Sequence, residues 1–301
     1  MSRFEELTGQ LAIPAIAAPM FLVSGVELVT ACSQNGVLGT FPTLNARTTD
    51  ALDSWLGEMG ERLDGKPFGA NLIVHKTNPR LKEDLELVVK HKVPLVITSL
   101  GAVPDLIDAV HSYGGVVLHD VIAIRHAQKA IEAGADGLIA VAAGAGGHAG
   151  TFSPFALTSE IREFFDGPLV LSGCITHGGH VLAARAMGAD AGYIGSHFIA
   201  AEESMASSGQ KDMMIASTAK DIVYTDKVTG VGANFMRASL EAASLPEGGH
   251  GEMQLSDEAK AWKTIWSAGH GVGSTHAVRP AADICRDLVA QYTQSLERIT
   301  S

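Results

Sequence analysis

Glu132-Ala133-Gly134-Ala135-Asp136-Gly137-Leu138-Ile139-Ala140-Val141-Ala142-Ala143 is the stretch whose reading decides the fold. It reads as a helix end, a glycine able to turn the chain left-handed, and then a continuous apolar strand. The same punctuation recurs in Ala186-Met187-Gly188-Ala189-Asp190-Ala191, with variants at Gln34-Asn35-Gly36 and Ser112-Tyr113-Gly114-Gly115. One helix-to-strand turn is therefore reused by successive units. Residues 126–134, just upstream, place Ala127, Ala130, Ile131 and Gly134 at helical i, i+3, i+4, i+7 spacing.

Working outward, short apolar runs fall at residues 15–20, 37–42, 68–73, 95–100, 116–121, 137–143, 169–174 and 191–196. Most are continuous rather than alternating, as expected of parallel strands covered on both faces. Eight such runs alternating with helical segments predict an α/β fold, a (β/α)8 TIM barrel. A doubly wound open sheet is the competitor. It favours a GxGxxG turn after the first strand, where this chain reads Ala17-Ala18-Pro19-Met20-Phe21.

After the eighth run the character changes. Residues 206–276 show no clear strand run and carry a helix-like segment at 212–219. Two glycine-rich breaks follow, Thr229-Gly230-Val231-Gly232 and Pro246-Glu247-Gly248-Gly249-His250-Gly251. We expect residues 1–205 plus 277–301 to form the barrel, with 281–299 as its last amphipathic helix. We expect residues 206–276 to form a small helical insertion, a lid over the barrel's C-terminal face, where such folds keep their sites.

Composition narrows the function. Of 301 residues, 46% are hydrophobic and 18% charged, which excludes a disordered chain. A formal charge of −11 argues against nucleic acid and anionic membranes as partners. Cys32, Cys174 and Cys285 are scattered and odd in number, which suits a reducing compartment rather than a disulfide framework. Met1-Ser2-Arg3-Phe4-Glu5-Glu6 lacks the apolar core of a signal peptide. No apolar run approaches the roughly 20 residues that span a bilayer. A soluble, cytoplasmic globular protein is expected. Neither HxH nor HExxH occurs, so no metal site is expected.

Strand ends point into a barrel's site, and several of them carry chemistry. Gly144-Ala145-Gly146-Gly147-His148-Ala149-Gly150 is a loop nearly without side chains, with one imidazole at its tip. Glycine admits close approach of a ligand, and histidine exchanges protons near neutral pH, so His148 is the candidate catalytic residue. Capping nearby carbonyls is its structural alternative. Ser172-Gly173-Cys174 and Gly195-Ser196 end the seventh and eighth runs as amide-exposing turns before helices, a pattern that binds phosphate. Asn71 offers an amide at the end of the third run, and Met20 could pack against a planar ring. Of the adjacent pair His119 and Asp120, only one can face the barrel interior. His177 and His180 lie near the phosphate turn, where helix-start histidines are often simply solvated.

Five motifs occur in order: Ala18-Pro19-Met20, Gly69-Ala70-Asn71-Leu72, Ala145-Gly146-Gly147-His148-Ala149-Gly150, Leu171-Ser172-Gly173-Cys174-Ile175 and Gly188-Ala189-Asp190-Ala191-Gly192-Tyr193-Ile194-Gly195-Ser196. Together they resemble the nitronate monooxygenase (2-nitropropane dioxygenase) family of FMN-dependent barrels. Ile265-Trp266-Ser267-Ala268-Gly269 is similar to that family's lid signature. The resemblance implies FMN, with its phosphate on the amides of Cys174, Gly195 and Ser196, beside Ser172 and Gly173. It implies an isoalloxazine against Ala18, Met20, Asn71, Gly146 and Gly147, with His148 at the reactive edge. It further implies a small-molecule substrate, O2 as co-substrate and room for a homo-oligomer.

Two departures stand out. Relatives often carry a lysine at the end of the fifth strand, where this chain has His119-Asp120, and a second glycine where it has Cys174. An aspartate there disfavours an anionic reduced flavin unless it is protonated or paired. The resemblance implies oxidation of alkyl nitronates to carbonyl compounds, with neutral nitroalkanes as an optional further substrate. NAD(P)H-dependent quinone or enoyl-thioester reductases and acyl-CoA dehydrogenase-type enzymes of the same family form the alternative. A flavin-free phosphate-binding barrel, such as a sugar-phosphate isomerase or lyase, forms a third.

Overall fold

The computed structural model describes residues 2–243 and 262–301. Eight parallel strands, β1 (Ala15–Ala17), β2 (Leu38–Pro42), β3 (Phe68–Ile73), β4 (Leu95–Ser99), β5 (Val116–Val121), β6 (Gly137–Val141), β8 (Leu169–Ser172) and β9 (Ala191–Ile194), close into a barrel in that order. β1 pairs with both β2 and β9, which completes the ring. Every apolar run singled out in the sequence supplies one of these strands. A further short strand, β7 (Gly147–His148), lies outside the barrel.

Alternation along each strand divides the core in two. On β5, Val116 and Leu118 pack with Ile97, Ile139 and Val170 inside the barrel. Val117 and Val121 belong to the layer beneath the helices, with Ala127 and Ala130 of the Ile124–Glu132 helix. Both faces are dry, so the strands read as continuous apolar runs. Burying each such side chain stabilises the fold by about 1.5–3 kcal/mol.

The recurrent turn has a physical reason beyond its glycine. Gly36, Gly114, Gly134 and Gly188 all adopt positive φ, between +82° and +102°. In the two Gly-Ala-Asp copies, the Asp136 carboxylate accepts from Val117 N–H and the Asp190 carboxylate from Leu169 N–H, each at 2.7 Å. Each aspartate thereby ties the incoming strand to the start of its neighbour. The helix expected at 126–134 runs from Ile124 to Glu132, stopping short because Gly134 has left helical geometry.

The insertion departs from the expected all-helical form. It contains the Ser208–Ala216 helix, begun by the Ser207 side chain accepting from Gln210 N–H, and also two antiparallel strands. These are β10 (Ile222–Thr225) and β11 (Ala233–Met236), and β11 continues onto β7. The β-branched and aromatic run Ile222-Val223-Tyr224-Thr225 carried that signal. The Pro246–Gly251 break lies outside the described residues. The chain ends in the Ala281–Thr300 helix, which packs on the Gly178–Ala186 helix. Among the described residues, no helix is long and apolar enough to cross a membrane.

Candidate active site

At the C-terminal mouth of the barrel lies a cavity of about 800 Å³, lined by every residue singled out above as catalytic or cofactor-binding. Strand register explains the convergence. Asn71 is level with Ile97, Asp120 with Ile139, and Ser172 with Tyr193, all on the interior face. His119 is level with Leu138 on the helix-facing side, so of the adjacent pair it is Asp120 that enters the barrel.

A polar chain crosses the cavity floor. The buried Asn71 amide donates to Ile97 C=O at 3.2 Å and to Ser99 Oγ at 2.8 Å. Ser99 in turn donates to Asp120 Oδ2 at 2.6 Å. With both amide hydrogens used, Asn71 keeps Oδ1 as its acceptor for a ligand. Asp120 Oδ1 and the Tyr193 hydroxyl are buried without a partner. Burial pushes the Asp120 carboxyl up to about 6, against the pull of the Ser99 bond. Burial, with the Asp120 charge adding to it, also pushes the Tyr193 phenol well above its ordinary value. His119 lies 2.7 Å from Thr98 Oγ1, and burial with the nearby His126 lowers it to about 4. It is therefore neutral near pH 7 and supplies no charge to offset Asp120.

The glycine loop meets the insertion edge to edge. Gly147 N–H donates to Ser267 Oγ at 2.6 Å, and the loop pairs as β7 with Ala233 and Asn234. Its neighbour Gly146 faces the backbone of Ala268 and Gly269 so closely that an added Cβ would sit 2.8 Å from Gly269 N. His148 Nε2 stands 3.4 Å from Thr229 Oγ1, and its ring meets Trp262 edge-on at 5.7 Å. The imidazole is thus oriented from outside the barrel while it faces the cavity.

The amide turns are arranged differently from a simple helix-start site. The Gly178–Ala186 helix is already capped: His177 Nδ1 accepts from Gly179 N–H at 2.9 Å, and Gln291 Oε1 from Gly178 N–H at 3.0 Å. His180 Nδ1 accepts from Thr176 N–H at 3.3 Å. Both histidines are absorbed by local structure. The open donors lie earlier, in the turn itself. Cys174 is held at φ +56°, and among the described residues its N–H and those of Gly195 and Ser196 meet no protein acceptor. Ser196 Oγ accepts from Gly269 N–H at 2.7 Å, so this turn also touches the insertion.

The sequence places Ser99 among the strand ends that point into the site but assigns neither it nor Tyr193 a role. Both were recoverable, one as a strand end and the other from interior alternation. Thr229, Asn234 and Trp262 carry no local signal and reach the site only through the tertiary fold.

A family model described as nitronate monooxygenase matches residues 80–291. Among curated proteins, the chain is 26% identical over 227 residues to the (3aS,4S,5R,7aS)-5-hydroxy-7a-methyl-1-oxo-octahydro-1H-indene-4-carboxyl-CoA dehydrogenase of Rhodococcus jostii strain RHA1. That match covers 75% of this chain but 63% of the relative, so the chain spans less than two thirds of it. A nitronate monooxygenase of Paraburkholderia phytofirmans is 25% identical over 345 residues, covering 95% of this chain and 94% of the relative. The crystal structure of nitroalkane oxidase from Streptomyces ansochromogenes superposes with a TM-score of 0.83 at 23% identity, covering 99% of this chain and 100% of that one, and shows the shared fold.

Proposed function

The chain belongs to the nitronate monooxygenase family of flavin-dependent oxidoreductases, and on that premise we propose that it binds FMN and oxidises alkyl nitronates with O2 to carbonyl compounds. The observation that carries this reading is the meeting, in one cavity, of two open amide turns and the His148 imidazole, held beside Thr229 and Trp262.

The residues present fit such a cofactor. The N–H groups of Cys174, Gly195 and Ser196 are spare donors suited to a phosphate. Asn71 Oδ1 is a spare acceptor for a ring N–H. Ala18, Met20, Gly146 and Gly147 line the mouth, and three of the four bring little or no side chain. When bound, FMN supplies the capacity to accept electrons from a nitronate and deliver them to O2. His148 donates a hydrogen bond to the nitronate oxygens, and from a neutral nitroalkane it takes the α-proton as general base. The described parts of the insertion, residues 206–243 and 262–276, act as the lid that orients His148 and restricts water. The scattered free thiols support a cytoplasmic setting, and the reading allows a homo-oligomer.

A second reading rests on a specific feature. The cavity extends past Ser99 and His119 to His126 and Lys129 on the Ile124–Glu132 helix. Such depth suits a bulky acyl-thioester substrate and NAD(P)H-linked reduction. An absorbance spectrum of the purified protein, followed by anaerobic titration with a nitronate and then with NADH, separates the two. Bleaching of flavin absorbance by the nitronate supports the first reading, and bleaching by NADH alone the second. A colourless protein that takes up no FMN removes both.

A further inference from the structure

Given a flavin in this cavity, as proposed above, we infer that Asp120 is its charge-compensating partner, taking up a proton as the bound ring gains negative charge and thereby setting the reduction potential. The geometry isolates this carboxyl. Its Oδ2 is held by Ser99 at 2.6 Å, and its Oδ1 is buried with no partner. It lies on the interior face, among residues that line the cavity.

Its immediate surroundings offer no other compensation, and Lys129, which lines the same cavity, exerts no pull on its carboxyl. β3 presents the neutral Asn71, β4 the neutral Ser99, and β6 the apolar Ile139. β9 presents Tyr193, whose phenol is held in its neutral form. His119 faces the helices, with His126 beyond it, and burial keeps both below their ordinary values. Among the described residues, no lysine or arginine pairs with Asp120. A buried charge without an ion partner changes protonation rather than tolerate a second like charge nearby.

The balance is two electrons and two protons. Two electrons leave the substrate and reduce the ring, one proton accompanies them to the ring, and one negative charge remains. The second proton comes from solvent and forms an O–H bond on the Asp120 carboxylate. Ser99 gives it a path, because that side chain lines the cavity and touches Oδ2. Above the ionisation of Asp120 near pH 6, reduction must carry this extra proton or tolerate a charge pair, so it is harder. Below that pH the carboxyl is already neutral and the penalty vanishes.

The test is the midpoint potential of the FMN-loaded wild type, Asp120→Asn and Ser99→Ala, measured against reference dyes from pH 5 to pH 9. Asp120→Asn is expected to favour reduced over oxidised flavin at least tenfold at pH 8, about 30 mV for a two-electron couple, and to match wild type at pH 5. Ser99→Ala, which removes the bond favouring the carboxylate, is expected to move the break in the wild-type slope to higher pH. This second variant decides the matter if Asp120→Asn does not fold. Potentials that run parallel at every pH, or a break unmoved in Ser99→Ala, overturn the inference while leaving the flavin reading intact. A wild type that takes up no FMN overturns both.

Discussion

Ser267 clasps Gly147: its hydroxyl accepts from the Gly147 amide at 2.6 Å and donates to the Asn234 carbonyl at 2.7 Å. One side chain from the insertion thus fixes the loop that carries His148. Ser267→Ala leaves a donor and an acceptor unpaired at a half-buried junction, a loss of about 1–2 kcal/mol. A lower Tm and faster hydrogen exchange at the Gly147 amide are expected. Exchange at the wild-type rate would show that the clasp does not hold the loop.

His148→Ala is expected to keep its FMN, because the open amides lie on β8 and β9 turns and not on this loop. Turnover of a nitronate should fall about a hundredfold or more, the usual scale for a lost acid–base or orienting group. Flavin absorbance and oxygen uptake on the same sample measure both effects. Oxygen uptake at the wild-type rate would remove His148 from the chemistry.

Gly195 separates fold from ligand. An added Cβ there meets only Ala18 Cβ at 3.6 Å and Met20 Sδ at 3.9 Å, which is ordinary contact. Gly195→Ala should therefore fold and retain flavin. Gly195→Asp should fold too, yet emerge as apoprotein, because its carboxylate opposes a phosphate. Full flavin content in Gly195→Asp would count against the two-turn cradle.

Stability should fall as pH drops from about 6.5 to about 4. His119 and His197 are both lowered from 6.5 to about 4, chiefly by burial. Their neutral forms stabilise the fold fully above pH 6.5, and that contribution, about 3 kcal/mol for each, is lost as pH approaches 4. Asp120 acts in the opposite sense: raised from 3.8 to about 6, it stabilises at low pH and loses that contribution as pH rises through 6. Two histidines outweigh one carboxyl. His119→Asn should flatten the fall in Tm between pH 7 and pH 4.5, and an unchanged slope would exclude His119 as a cause.

The barrel was legible because its signal is local. Apolar runs, left-handed glycines and the Gly-Ala-Asp turn each depend on a few consecutive residues, and the chain repeats them. Strand ends then pointed to Asn71, His148, Cys174 and Gly195, since parallel strands of a closed barrel all end at the same mouth. Other features depended on partners far along the chain. Asp190 reads as a turn residue until Leu169 N–H meets it, and Thr229 and Trp262 reach His148 from residues more than eighty positions away. Pattern alone therefore determined the architecture and which segments gather at the mouth. Only the tertiary structure decided that Asp120 rather than His119 enters the barrel, that the helix start after β8 is already capped, and that the insertion continues a sheet onto the histidine loop. Register, burial and long-range hydrogen bonding set those outcomes, and none of them is encoded in neighbouring residues.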